Sequence, residues 1–249
     1  VVRAVGEAAW AALRRRSARL DAGALATLSP MLILSPHQDD ETLGCGGLIA
    51  TACAQGLAPR VAFVTDGAAS HRGSQTWPPE RLAAARRREA LRALATLGVP
   101  SRDVRFLGWP DGAPLAEGAP DYQRTLVELQ SWARSRPPRS LWATWPKEPH
   151  CDHEAAAELA DALAARLPVR PRRLDYLVWG WTRPELVQAA PERRWALDCP
   201  GQAPRRRRAL ACHRTQTSGL IADADQAFRL PASVAALAGR RTEIFLEAR

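Results

Sequence analysis

Lysine is almost missing from this chain. Lys147 is the single one among 35 basic residues, so the net charge of +9 over 26 acidic residues is carried by arginine. Together with the abundance of alanine, this follows a GC-rich coding bias, which weakens any functional reading of the charge. No base-reading motif accompanies the runs Arg14–Arg16, Arg86–Arg88 and Arg205–Arg208. They read as solvated helix faces, and no nucleic-acid partner is expected. No apolar run reaches the roughly eighteen residues of a membrane span. No basic start followed by an apolar stretch and a small-residue cleavage site is present, so no signal peptide is expected. The five cysteines are odd in number and form no CxxC pair. That argues against a disulfide framework and a cysteine-rich zinc site, and it suits a reducing, cytoplasmic setting. No internal repeat is found.

What is present is a chain of 249 residues, 46% apolar, enough for a substantial core. An amphipathic helix is expected over 3–20. Strands are expected at 30–34, 60–65, 103–107, 140–144 and 174–179, alternating with helices at 45–56, 80–98, 121–135 and 153–166. Pro78-Pro79 opens the helix over 80–98, and Gly98 with Pro100 ends it. Further strands at 193–198 and 242–246 and helices near 204–213 and 232–238 read as an extension of the same domain. The expectation is therefore one domain over 1–249, with a core of about 30–180 and an extension over 181–249. Continuous apolar strands alternating with helices predict an α/β fold: Rossmann-like, doubly wound, a mainly parallel sheet with helices on both faces. The usual strand order puts the first and fourth of these strands side by side, where the winding reverses and ligands bind.

Two polar clusters follow those two strands. The first is Pro36-His37-Gln38-Asp39-Asp40-Glu41; the second is Pro149-His150-Cys151-Asp152-His153. Imidazole and carboxylate suit a zinc-like ion, and three protein ligands leave a position open for water. His37 and Asp40 are three residues apart, as are His150 and His153, so each pair can share one side of a turn. One of the two later histidines should ligate and the other face substrate; spacing does not say which. Asp39, next to a ligand, suits a general base that takes a proton from the attacking water. Ferrous iron accepts the same donors as zinc.

Other features carry milder readings. Gly44-Cys45-Gly46-Gly47 superficially suggests a dinucleotide loop, but Ile49 breaks the pattern and the Asp39-Asp40 pair would repel a pyrophosphate. The glycines are expected instead to let a helix pack closely on the sheet. Trp77, Trp109, Trp145 and Trp181 each follow an expected strand, and either line a sugar pocket or pack in the core. His71 and Arg72, in the loop after the second strand, are candidates for substrate contact.

The segment over 36–47 resembles the PHPDDE-type signature of the LmbE-like (PIG-L) zinc de-N-acetylases, and His150-Cys151-Asp152-His153 resembles that family's H-P-D-H element. Thr65-Asp66-Gly67, Arg86-x-x-Glu89 with Leu97-Gly98-Val99, Phe106-Leu107-Gly108 through Asp111, and His213-Arg214-Thr215-Gln216 resemble further elements. The resemblance spans roughly 30–216. It implies removal of acetyl from an N-acetylglucosamine-type unit in a larger conjugate, so that the partner is a small-molecule or glycoconjugate substrate. It implies His37, Asp40 and His153 as Zn2+ ligands and Asp39 as base. His150 would stabilise the oxyanion or protonate the departing amine, Asp152 would orient His150, and Asp111 would contact sugar hydroxyls. Gln38 and Cys151 stand where the family usually has proline and give up its rigidity; Cys151 could also act as a soft ligand. Arginines replace a lysine often seen ahead of the last element. The alternatives are a metal-dependent amidase for a non-sugar acyl amide and a non-catalytic, basic binding module. Assembly into a homo-oligomer is left open.

Overall fold

The computed structural model describes residues 6–190 and 193–248. In chain order the strands are β1 (Ala18–Arg19), β2 (Met31–Ser35), β3 (Arg60–Thr65), β4 (His71–Arg72), β5 (Val104–Trp109), β6 (Ser140–Thr144), β7 (Arg172–Tyr176), β8 (Arg193–Asp198), β9 (Gln226–Ala227) and β10 (Thr242–Glu247). The helices are α1 (Glu7–Arg15), α2 (Ala22–Leu28), α3 (Asp40–Ala54), α4 (Pro79–Leu97), α5 (Pro120–Ser135), α6 (Cys151–Arg166), α7 (Pro184–Ala189), α8 (Ala203–Leu210), α9 (Arg214–Thr217) and α10 (Ala232–Ala235). Eight strands form one sheet in the order β1-β8-β10-β7-β6-β2-β3-β5. All its pairings are parallel except those of β10, which runs antiparallel to both β7 and β8. The chain thus has the expected α/β fold, and β2 and β6 are neighbours.

The period of two along each strand divides the core between the two faces. Ile33, Val61, Phe63 and Trp142 turn toward α3 and α4, while Leu32, Leu34, Ala62, Leu141 and Ala143 turn toward α5 and α6. Both sets are buried, which is why the strands read as continuous apolar runs. The glycines of α3 allow its close approach. A Cβ on Gly44 would lie 2.2 Å from the Tyr176 ring, and one on Gly47 would lie 2.4 Å from Cys199 Sγ. The helix kinks at Cys45, and the freed amides of Gly47 and Leu48 donate to Glu243, each at 2.7 Å. The buried Arg206 guanidinium completes this cluster, 3.0 Å from Glu243. Gly98 ends α4 in the left-handed conformation at φ 105°, as the sequence suggests.

Several expectations change. Residues 3–5 of the first expected helix lie outside the described residues. That helix ends at Arg15, β1 pairs with β8, and Asp21 caps a separate α2 by accepting from the Ala24 amide. The strand expected to run to 179 stops at Tyr176, because the next amides turn to a buried carboxylate described below. The arginine runs are not uniformly solvated: Arg86 and Arg206 are buried, since the helical period turns one residue of each run inward. Trp109, Trp145 and Trp181 are core residues. Trp77 lies under the Arg81 guanidinium. Among the described residues, no helix is long and apolar enough to cross a membrane.

Candidate metal centre and active site

The ends of β2 and β6 bring the two polar clusters together. After β2, the Pro36 carbonyl accepts both the amide (3.0 Å) and the hydroxyl (2.9 Å) of Thr65. Ser35 donates to the His37 carbonyl at 2.8 Å, which fixes the turn. Asp40 is the first residue of α3, and its Oδ2 accepts the His37 amide at 3.0 Å. After β6, His150 caps α6, placing His153 within its first turn. The three imidazoles converge: His37 lies 4.8 Å from His150 and 5.4 Å from His153, ring centre to ring centre.

Asp40 Oδ2 is 3.1 Å from His37 Nδ1 and 3.2 Å from His153 Nε2. Atoms bound about 2.0–2.1 Å from a tetrahedral zinc lie roughly 3.3 Å apart, so the spacing fits one small cation. The far nitrogen of each histidine faces a carboxylate, the arrangement that fixes the ring of a ligating imidazole. His37 Nε2 is 2.9 Å from Asp152 and 3.2 Å from Asp111; His153 Nδ1 is 3.2 Å from Glu148. His153 Nε2 is buried and meets Asp40 Oδ2 without hydrogen-bond geometry, as two ligands of one ion would. The electrostatics agree. Burial works against charge on both imidazoles. The neighbouring carboxylates outweigh it, holding His37 well above its ordinary value and His153 up at about 9. Burial would likewise raise Asp40, but His153 and His37 hold it well below the carboxylate range. The cage attracts positive charge.

A cavity of about 430 Å³ opens beside the cage. Asp39 lines it, and burial pushes its carboxyl up to about 7 against the pull of Arg86, whose Nη2 is 3.6 Å away. Arg86 also donates to the Gly67 carbonyl at 3.1 Å and the Gln38 carbonyl at 3.4 Å, so a buried guanidinium ties the loop after β3 to the turn at Asp39. Gln38 is buried and donates to the Thr65 carbonyl at 2.7 Å, taking an anchoring role where proline is usual. Glu41 accepts the Asp39 amide at 3.1 Å.

Asp111 and Arg72 line the cavity. Asp111 accepts the Ala69 amide at 2.9 Å and faces His37. His71 does not line it; this ring is buried against Ser70 at 3.1 Å. Asp152, expected to orient His150, makes its closer side-chain contacts elsewhere. Its carboxylate serves His37 and the Gly112 amide (2.8 Å) and stays 4.0 Å from His150, whereas its backbone amide donates to His150 Nδ1 at 3.2 Å. Cys151 is exposed and lies outside the cage. Arg86, Glu148, Trp179 and Gln216 belong to the site without having been chosen from the sequence as site residues. Glu148 stands two residues before His150, and Arg86 and Gln216 lie in the family-like elements, so each left a signal. Trp179 left none.

Residues 32–164 match the family model described as PIG-L, GlcNAc-PI de-N-acetylase. A search of curated proteins gives no match. Among solved structures, the conserved protein TT1542 from Thermus thermophilus is 27% identical, with a TM-score of 0.57 over 75% of this chain and 79% of that one. The N,N'-diacetylchitobiose deacetylase from Pyrococcus horikoshii is 21% identical, with a TM-score of 0.59 over 84% and 79%. The 4-carboxy-2-hydroxymuconate hydratase GalB from Pseudomonas putida is 23% identical, with a TM-score of 0.62 over 73% and 77%. The likeness to these last two is one of fold.

Proposed function

This chain belongs to the PIG-L (GlcNAc-PI de-N-acetylase) family, and from that membership we propose that it is a metal-dependent hydrolase that removes acetyl from an amino-sugar unit of a larger conjugate. The observation that carries this reading is the contact of one Asp40 oxygen with both His37 and His153, at 3.1 and 3.2 Å, beside a cavity lined by Asp39. His37, Asp40 and His153 would hold the cation, zinc or ferrous iron. A second grouping, His37 with His150 and Asp152, has similar spacing. It is the weaker candidate, because His150 Nδ1 already accepts an amide and Asp152 already serves Gly112.

A divalent ion bound there supplies Lewis-acid polarisation of the acetyl carbonyl and acidifies water. The protein groups do the rest. Asp39 takes the proton of the attacking water, and its carboxyl near pH 7 suits that exchange. His150 lies on the cavity wall and donates to the carbonyl oxygen as negative charge develops, or to the departing amine. Asp111 and Arg72 offer an acceptor and a donor to sugar hydroxyls. Asp152 orients His37, and Glu41 and Arg86 fix the backbone around Asp39.

The same fold carries a hydratase in GalB, so fold alone does not choose the reaction. Acetate release from N-acetylglucosaminyl conjugates, set against N-acyl amino acids and unsaturated acids, tests the choice. Acetate from the sugar conjugates alone supports the reading. Turnover confined to acyl amino acids or to hydration of a double bond overturns it.

A further inference from the structure

Glu148 is fully buried, and both of its oxygens are saturated by donors from two separate parts of the site. Oε1 accepts the amides of Val178 at 3.0 Å and Gly180 at 2.7 Å. Oε2 accepts the amide of Trp179 at 2.7 Å and faces His153 Nδ1 at 3.2 Å. Three successive amides thus close around one carboxylate, which is why β7 stops at Tyr176 and the chain turns into the cavity. Gly180 is needed for this closure: a Cβ there would lie 2.7 Å from Glu148 Oε1 and 2.7 Å from Leu177 Cδ2. The turn delivers Trp179 to the cavity wall, 6.2 Å ring to ring from Phe228, which hangs from the Ser70 carbonyl by its amide at 2.9 Å. Leu43 and Leu230 extend this apolar side of the cavity.

We infer that Glu148 is a positioning residue with two outputs: it orients His153 for the cation, and it sets the Trp179 wall against which the apolar face of the substrate packs. The inference rests on the cage and deacetylase reading above. Its physical basis is the count of acceptors. A carboxylate offers two acceptor oxygens, whereas the amide of glutamine offers one and turns an NH2 toward the other pair of donors. Whichever way the Gln side chain of Glu148→Gln is turned, either His153 and Trp179 or Val178 and Gly180 meet an N–H in place of an oxygen. Either way an amide of the wall loses its acceptor and the carboxylate charge opposite His153 is lost, so a single change disturbs both the substrate wall and metal affinity.

The test compares wild type, Glu148→Gln, Gly180→Ala and Trp179→Ala. Zn2+ affinity is measured by competition with a chromophoric chelator, and kcat and KM are measured on an N-acetylglucosaminyl conjugate. Glu148→Gln should lose about 10–100-fold in Zn2+ affinity and show a raised KM. Gly180→Ala, which presses on the same carboxylate from the other side, should move both quantities in the same direction, and it carries the test if Glu148→Gln does not fold. Trp179→Ala should raise KM and leave Zn2+ affinity unchanged. A merely structural role lowers the melting temperature and spares Zn2+ affinity in the folded protein. That outcome in Glu148→Gln or in Gly180→Ala overturns the inference while the deacetylase reading survives. Failure of the wild type to bind Zn2+ overturns both.

Discussion

Asp39 is held between two opposing influences, burial that favours its proton and Arg86 that favours its charge. Replacing it with asparagine keeps the shape and removes the carboxylate proposed as the base. Asp39→Asn should retain full metal content and lose about 10²–10⁴-fold in kcat; near-normal turnover would remove the base assignment. His153→Ala should lower metal stoichiometry, read by elemental analysis of the purified protein. Asp111→Ala should raise KM for sugar conjugates and spare metal. The titrating groups of the cage also make a pH prediction. In metal-free protein, burial raises Asp39 from 3.8 to about 7 and Glu41 from 4.5 to about 8, while the carboxylates around His153 raise it from 6.5 to about 9. Each folded value lies above the unfolded one, so the folded state binds extra protons. The stability this contributes is complete only below about pH 4 and is lost progressively from there to about pH 9, as pH passes from each group's unfolded value to its folded one. Asp40 is shifted the other way, and its contribution is lost only as pH falls below the carboxylate range. Urea midpoints of chelator-treated protein should therefore fall between about pH 6 and pH 9, and Zn2+ affinity should rise over the same interval as binding displaces protons. A midpoint that rises would contradict the assignment. His37, Asp39, Asp40 and His153 were legible because each is a chemically distinctive residue directly after a strand. Glu148 was harder to see because its partners, the amides of residues 178–180, carry no side-chain signature.

Element geometry decides what those residues can do. α3 begins at Asp40, earlier than its apolar pattern suggests, because polar site residues occupy its first turn. Its packing on the sheet was legible in the glycines, and it is testable. Gly44→Ala places a methyl group into the Tyr176 ring and should cost about 1–3 kcal/mol in urea denaturation, as overpacking does. Because Tyr176 also donates to the Leu34 carbonyl at 2.9 Å, just before the first cluster, the same change should weaken metal binding. An unaltered midpoint would mean that the helix can shift away. Elements set by long-range pairing escaped the sequence reading. β1 is two residues long and exists through its pairing with β8, and β4 pairs with β9 across a long separation to wall the cavity. Neither has a periodicity of its own.

At the scale of the whole molecule, the doubly wound order was legible because strands buried on both faces leave uninterrupted apolar runs. That order alone brings His37 beside His153. The C-terminal segment was less legible. Its strands β8 and β10 lengthen the sheet beyond β7, and β10 runs against the others. Its Glu243 and Arg206 are buried ionic residues that a hydropathy pattern assigns to the surface. Since the cage joins segments from both halves of the parallel core, ion binding should stabilise the entire fold. At a hundredfold excess of free Zn2+ over its Kd, linkage adds about 2.7 kcal/mol, visible as a raised melting temperature that chelation reverses. The most direct test of the account is acetate release from an N-acetylglucosaminyl conjugate by the metal-loaded, the chelator-stripped and the metal-restored protein. The account predicts release, loss and recovery in that order; a protein that binds its ion fully and frees no acetate from any such conjugate would contradict it.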